Sequence, residues 1–183
     1  MTTVRERRVE QEWAILDALA AANPGVVERG ARRTEPDADV FAITLHDTPG
    51  LVLVDGLPAL THRHDAVIYF RQWFPSVPIE VSVARPVVHP NVHPETGFVC
   101  LWGRFSPGDT VIEAVAQLQR VITWQRWNDL AVHVMQPDAH ERVREAWAGR
   151  LPLSTARIAV PREVQAVRTL GARPSRYMRR RLS

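Results

Sequence analysis

Between residues 26 and 84 one strand candidate follows another with no amphipathic helical pattern between them. Parallel neighbours need a long crossover, usually a helix, so a run of this kind has to fold as an antiparallel meander. Val40 to Leu45 places Phe41, Ile43 and Leu45 on one face. Ala66 to Phe70 is rich in β-formers. Ile79 to Ala84 alternates, with Ile79, Val81 and Val83 on one side and Glu80 and Ser82 on the other. Val26 to Arg33 carries a weaker signal. The connection from Asp47 to His64 is rich in turn residues and holds an apolar patch, Leu51 to Val54, that reads as a further short strand. Pro75 and Pro78 punctuate the approach to the last strand.

Helical patterns lie on either side of this run, which makes the class α+β. Thr3 and Glu6 have capping-box spacing, and Val9, Trp13, Leu16 and Ala20 follow on one face until Asn23-Pro24-Gly25 stops the helix. Its other face carries Arg5, Arg7, Arg8 and Glu10. Thr110 and Glu113 repeat the capping-box spacing ahead of Val111, Val115, Leu118 and Ile122. The pattern predicts further helices over Trp127 to Met135, from Asp138 to Gly149, and a short one over Pro161 to Leu170. There is no internal repeat. The chain of 183 residues is the size of one domain, read here as residues 1–150 followed by an extension, 151–183.

Charge is unevenly placed. Five arginines and no acid lie between Arg173 and Ser183, and setting them aside turns the net charge from +3 to −2. The basicity therefore belongs to the tail, read as a solvated, flexible end, and nucleic acid is not an expected partner of the folded body. All 23 basic residues are arginine. Codon bias toward arginine is the first reading of this; the other is avoidance of amines, since a lysine amine is an acyl acceptor and arginine is not. The polar N-terminus and the lack of a long apolar run read as a chain without signal peptide or membrane span. One cysteine allows no internal disulfide, which suits a reducing, cytoplasmic setting.

Residues 85 to 109 form a long stretch punctuated by Pro86, Pro90, Pro94, Gly97, Gly103, Pro107 and Gly108. Irregular segments of this length inside compact domains tend to carry function. This one holds His89, Asn91, His93, Glu95 and Cys100. The residue types leave several readings open: a structural cysteine, a metal site from His89, His93 and Cys100, or a cysteine hydrolase pairing Cys100 with the distant His133 or His140.

The run Phe74-Pro75-Ser76-Val77-Pro78-Ile79-Glu80-Val81-Ser82-Val83, then Val88-His89-Pro90-Asn91-Val92, Gly97-Phe98-Val99-Cys100-Leu101, Phe105-Ser106-Pro107 and Thr110 resembles the ubiquitin-conjugating enzymes in order and spacing over about residues 65 to 124. Eight residues separate Asn91 from Cys100, one more than the family commonly has, Trp102 stands where an acid often follows Cys-Leu, and the family's Asn-Pro-x-x-Pro segment is replaced by Trp124 to Leu130. These departures resemble the bacterial relatives encoded in antiphage-type operons beside an activating-enzyme homologue, a ubiquitin-like modifier protein and a deubiquitinase-like protease. The resemblance implies the family fold: N-terminal helix, strand meander, active-site loop, C-terminal helices. It implies a conjugating enzyme that carries the modifier as a Cys100 thioester and needs no cofactor or metal. Asn91 is then the residue that stabilises the oxyanion or orders the adjoining loop, with His89 and Pro90 in support. Asp109 is the candidate acceptor-activating acid, with Asp129 the other carboxylate nearest in sequence, and Arg5, Arg7 and Arg8 are candidate contacts to the activating enzyme. The alternative is an inactive binding module on the same fold that assists a partner enzyme.

Overall fold

A computed structural model describes residues 2–161. The basic tail and all of the Pro161 to Leu170 segment except Pro161 lie outside the described residues.

Helix α1 (Val4–Ala22) starts at a complete capping box: Thr3 Oγ1 accepts from the Glu6 amide (3.1 Å) and Glu6 Oε2 accepts from the Thr3 amide (2.6 Å). It ends where the Asn23 side-chain amide donates to the Leu19 carbonyl and Gly25 takes φ +74°. The buried stripe is Val9, Glu12, Leu16 and Leu19. Trp13 packs against it from the side, edge-on to Phe41 at 4.6 Å.

Strands β1 (Val27–Glu35), β2 (Ala38–Leu45), β3 (Gly50–Val54), β4 (Leu57–Thr61), β5 (His64–Arg71) and β6 (Glu80–Val83) follow in turn. With the two-residue β7 (Phe98–Val99), four of them form one antiparallel sheet in the order β1-β2-β5-β6-β7. Phe41, Ile43 and Leu45 of β2, Ile68 and Phe70 of β5, and Val81 and Val83 of β6 are all buried in the main core, together with the apolar side of α1. The outer strand β1 is interrupted by a register shift between Arg29 and Arg32, at Gly30-Ala31. Arg29 pairs with Asp17 and Arg32 with Glu10 (2.6 Å), tying β1 to α1.

The apolar patch at Leu51 is half of a separate hairpin, β3 with β4, closed by Asp55-Gly56 with φ of +51° and +80°. Asp-Gly is a preferred pair for a turn that needs two positive φ values. The hairpin leans on the start of the irregular segment, where the Val88 amide donates to the Leu51 carbonyl (2.7 Å). There a second apolar cluster forms from Leu51, Val88, Trp124, Ala139, Val143 and Leu153.

Helix α2 (Val111–Ile122) begins at the Thr110–Glu113 capping box. Its first amide, Val111, donates to Glu12 Oε2 of α1 (2.7 Å), and Arg8 holds the other carboxylate oxygen at 2.8 Å. A buried acid is thereby fully partnered and sits where the helix dipole favours negative charge. Helix α3 (Ala139–Trp147) matches the pattern that starts at Asp138, although Asp138 makes no side-chain cap and instead binds Arg142.

The helix expected over Trp127 to Met135 does not form. Only one 3-10 turn, Ala131–His133, is present. The backbone groups that would close a helix are engaged elsewhere: the Asn128 amide and the Asn128 and His133 carbonyls bind the Asn91 side chain, and the Met135 and Gln136 amides donate to the Pro90 carbonyl. Residues 151–161 run back across the domain. The Leu153 amide donates to the Thr123 carbonyl, Ala159 exchanges hydrogen bonds with the Asn23 side chain, and Ile158 enters the main core.

Candidate active site

The irregular segment is built around the His89-Pro90-Asn91 turn. The His89 ring is fully buried, edge-on to Trp124 at 4.8 Å. Its Nδ1 accepts from the Asn91 amide (3.1 Å), so Nε2 carries the proton and donates to the Arg126 carbonyl (3.0 Å). Burial lowers its pKa to about 3, which keeps the ring neutral in that tautomer. The Pro90 carbonyl accepts from Met135 (2.7 Å) and Gln136 (3.2 Å). The Asn91 side chain is buried and saturated: Nδ2 donates to the carbonyls of Asn128 (2.8 Å) and His133 (2.9 Å), and Oδ1 accepts from the Asn128 amide (2.7 Å). Three consecutive residues thus fasten the whole stretch 126–136. In addition, Gln136 reaches back to the carbonyls of Val87 and Val92.

Past Asn91 the chain loops out and returns. The His93 amide donates to the Phe98 carbonyl (2.8 Å), and His93 Nδ1 accepts from the Glu95 and Thr96 amides. Gly97, at φ +67°, lies so close to β6 that a Cβ there would stand 2.0 Å from the Val83 carbonyl oxygen. Strand β7 then pairs with β6 and delivers Cys100 off its end, where the Cys100 amide donates to the Asn91 carbonyl (2.9 Å).

Cys100 is half-buried, and its Sγ lies 3.0 Å from His133 Nδ1. Burial pushes the thiol up, while the Arg126 charge and the Trp102 amide pull it back. Burial thus favours the neutral thiol, and an imidazole ring stands beside it. The sequence pattern puts His133 inside a helix; it stands instead at the end of the 3-10 turn, partly buried, with Leu130 and Val132 beside it in solvent. No local pattern around residue 133 points to this position. The pairing of Cys100 with His133 is among the readings the residue types leave open; what the local pattern misses is that residue 133 lies off any α-helix.

The other candidates are placed as follows. Asp109 Oδ2 accepts from the Ser106 amide (2.8 Å), closing the turn before α2, and the Asp109 carbonyl accepts from Arg8. Asp129 is exposed and holds Trp127 Nε1 (3.1 Å) and His140 Nε2 (3.2 Å). Trp102 donates Nε1 to the Ile79 carbonyl (2.7 Å) and packs on the core. Arg5 is spent on Asp39 (2.7 Å) and on the Phe70 and Arg71 carbonyls, and Arg8 on Glu12, whereas Arg7 is exposed. With both ring nitrogens of His89 and the Nδ1 of His93 engaged, these histidines and Cys100 do not converge. Among the described residues no three His, Cys, Asp or Glu side chains come together as a metal site.

Compared with solved structures, the chain aligns with a protein described as a ubiquitin-conjugating enzyme from Trypanosoma cruzi, at 16% identity and TM-score 0.51, covering 78% of this chain and 88% of that one. A second, described in the same words and from Plasmodium yoelii, aligns at 14% identity and TM-score 0.53 over 78% of this chain and 86% of that one. The chain has the ubiquitin-conjugating-enzyme fold. No protein-family model and no curated sequence matches it. Within that fold, Cys100 is joined to the His89-Pro90-Asn91 turn through its amide and the Asn91 carbonyl. No helix among the described residues is long and apolar enough to cross a membrane.

Proposed function

We propose that the protein is a conjugating enzyme that accepts a ubiquitin-like protein from an activating enzyme as a thioester on Cys100 and passes it to an amine or other acceptor. The observation that carries this reading is the placement of the chain's one thiol. Cys100 sits at the end of β7 on a ubiquitin-conjugating fold, with its backbone held by the His89-Pro90-Asn91 turn. Fold alone does not decide function, and it is this nucleophile in this setting that favours the reading. Loading exchanges one thioester for another: Cys100 sulfur bonds to the modifier's terminal carbonyl carbon and the activating enzyme's thiol leaves. In discharge the acceptor nitrogen bonds to that carbon and Cys100 thiolate departs.

Of the two roles the resemblance offers for Asn91, its three side-chain hydrogen bonds favour the ordering of the loop that carries His133. His89 and Pro90 serve the same end. The engagement of the Asp109 carboxylate in the 106–109 turn favours a helix-start role for it over acceptor activation. Of Arg5, Arg7 and Arg8, the exposed Arg7 is the one best placed to meet an activating enzyme. The departures from the family pattern favour the bacterial branch, with its modifier, activating enzyme and deubiquitinase-like protease as gene neighbours.

A loading assay tests the reading. The protein is mixed with the activating-enzyme homologue and ubiquitin-like protein from its own gene neighbourhood, with ATP, and run on a non-reducing gel. A Cys100-dependent band that collapses with thiol reductant is expected, and Cys100→Ser should convert it to a reductant-resistant oxyester. No band, with the activating enzyme shown to be charged, would instead mark a non-catalytic module.

A further inference from the structure

We propose that His133 is the base of the reaction: it takes the proton of the Cys100 thiol during loading and the proton of the attacking acceptor during discharge. This rests on the reading of Cys100 as the thioester carrier. The geometry is that of an activated nucleophile, with Nδ1 3.0 Å from Sγ. For this role the neutral ring carries its hydrogen on Nε2 and leaves Nδ1 to accept. After proton transfer Nδ1–H donates to the thiolate without either group moving. The sulfur needs such help, because burial favours its neutral form.

The position is held, not incidental. The His133 carbonyl is bound by the Asn91 side-chain amide, and the Met135 amide two residues on is bound by the Pro90 carbonyl. The turn that fixes the Cys100 backbone therefore also fixes the backbone that carries the imidazole. The two candidate carboxylates are occupied elsewhere, Asp109 in closing its own turn and Asp129 in binding Trp127 and His140. The charged and titratable groups facing the sulfur are Arg126 and His133.

The protons balance. In loading, the thiol proton passes to Nδ1, Sγ bonds to the carbonyl carbon, the activating enzyme's thiolate leaves, and the imidazolium returns the proton to it. In discharge, neutral Nδ1 takes a proton from the attacking amine as its nitrogen bonds to carbon. Cys100 thiolate leaves and recovers that proton.

The experiment measures iodoacetamide alkylation of Cys100 from pH 5 to 10 in the full chain, with no partner present. One thiol makes the rate unambiguous. The wild type should show two inflections, the thiol's own and an added one below it. His133→Asn, which keeps a hydrogen-bond acceptor near Nδ1 but no base, should lose that inflection and react at least tenfold more slowly at pH 7, with the difference closing by pH 10. A purely structural histidine would shift the rate equally at every pH. A wild-type profile with one inflection, at the thiol, would overturn the proposal whether or not the variant folds. The loading gel is run in parallel. Loaded wild type whose discharge to free amine at pH 7 matches that of His133→Asn would overturn the base role. Two inflections with no loading would support the pair and overturn the conjugation reading alone.

Discussion

The Asn91 side chain supplies two donors and one acceptor in a buried site, and it alone among the described side chains fastens the Asn128 amide and the His133 carbonyl. Asn91→Ala should therefore cost about 2–4 kcal/mol in urea unfolding, since each orphaned buried polar group is worth about 1–3 kcal/mol. Loss of only a few tenths would show that the 128–133 segment is not fastened there. Two histidines set a second expectation. Burial lowers the pKa of His64 to about 4 and of His89 to about 3, so the unfolded chain takes up protons before the folded one does. Their contribution is complete above about pH 6.5 and falls by about 1.4 kcal/mol per site for each unit below it, down to those values. Glu12, pushed up by burial, works in the opposite direction. The urea midpoint should accordingly drop between pH 7.5 and 5, most plainly in a Glu12→Gln background; a flat or rising midpoint would contradict it. At this scale Cys100, His89 and Asn91 are legible from the sequence because they sit in one short run. His133 is legible only as one of two histidines that could pair with Cys100; its placement is not, because what holds it is a side chain 42 residues earlier.

Strand β7 is two residues long and depends on a glycine for its seat. Gly97→Ala would drive a methyl group into the Val83 carbonyl at a positive φ. A loss of about 3 kcal/mol or more is expected from the clash and the left-handed strain together. Hydrogen exchange should quicken first at the Val83 amide, which is bound to the Gly97 carbonyl; unchanged protection there would contradict the account. Between the helices, Glu12 joins α1 to the first amide of α2. Glu12→Gln keeps the acceptor for Val111 but turns its NH2 toward Arg8 and should cost about 1–2 kcal/mol, whereas Glu12→Ala strands the Val111 amide as well and should cost about 2–4 kcal/mol. Equal losses would mean that the charge, not the acceptor, matters. Both capping boxes and the alternating strands can be read directly, since their determinants lie within a few residues. The β3–β4 hairpin carries its own signal in Asp55-Gly56, which the apolar patch at Leu51 to Val54 overshadows. Glu12 is illegible: a lone acid on an apolar helix face acquires meaning only when α2 arrives.

The molecule is closed by its last described stretch. Leu153 and Ile158 are buried, and Asn23 and Gln119 bond to the backbone of 156–159. A chain ending at residue 150 should lose at least about 3 kcal/mol, which for a domain of this size lowers Tm by roughly 6–12 °C. An unchanged Tm would show that these residues are dispensable. The meander is foreseeable because nothing helical interrupts it. The closing strap is not, because its partners lie more than a hundred residues away at Asn23 and scattered along α2. The same sheet has two open sides. One is guarded by brevity, since β7 offers two residues. The other, β1, is nine residues long, but its ladder is broken at Gly30-Ala31 and it carries Arg29, Arg32 and Arg33. A foreign strand would meet a kinked backbone whose arginines are already paired with acids, Arg29 with Asp17 and Arg32 with Glu10. Copies of the chain therefore have no ready template along β1 for lengthening the sheet from one molecule to the next.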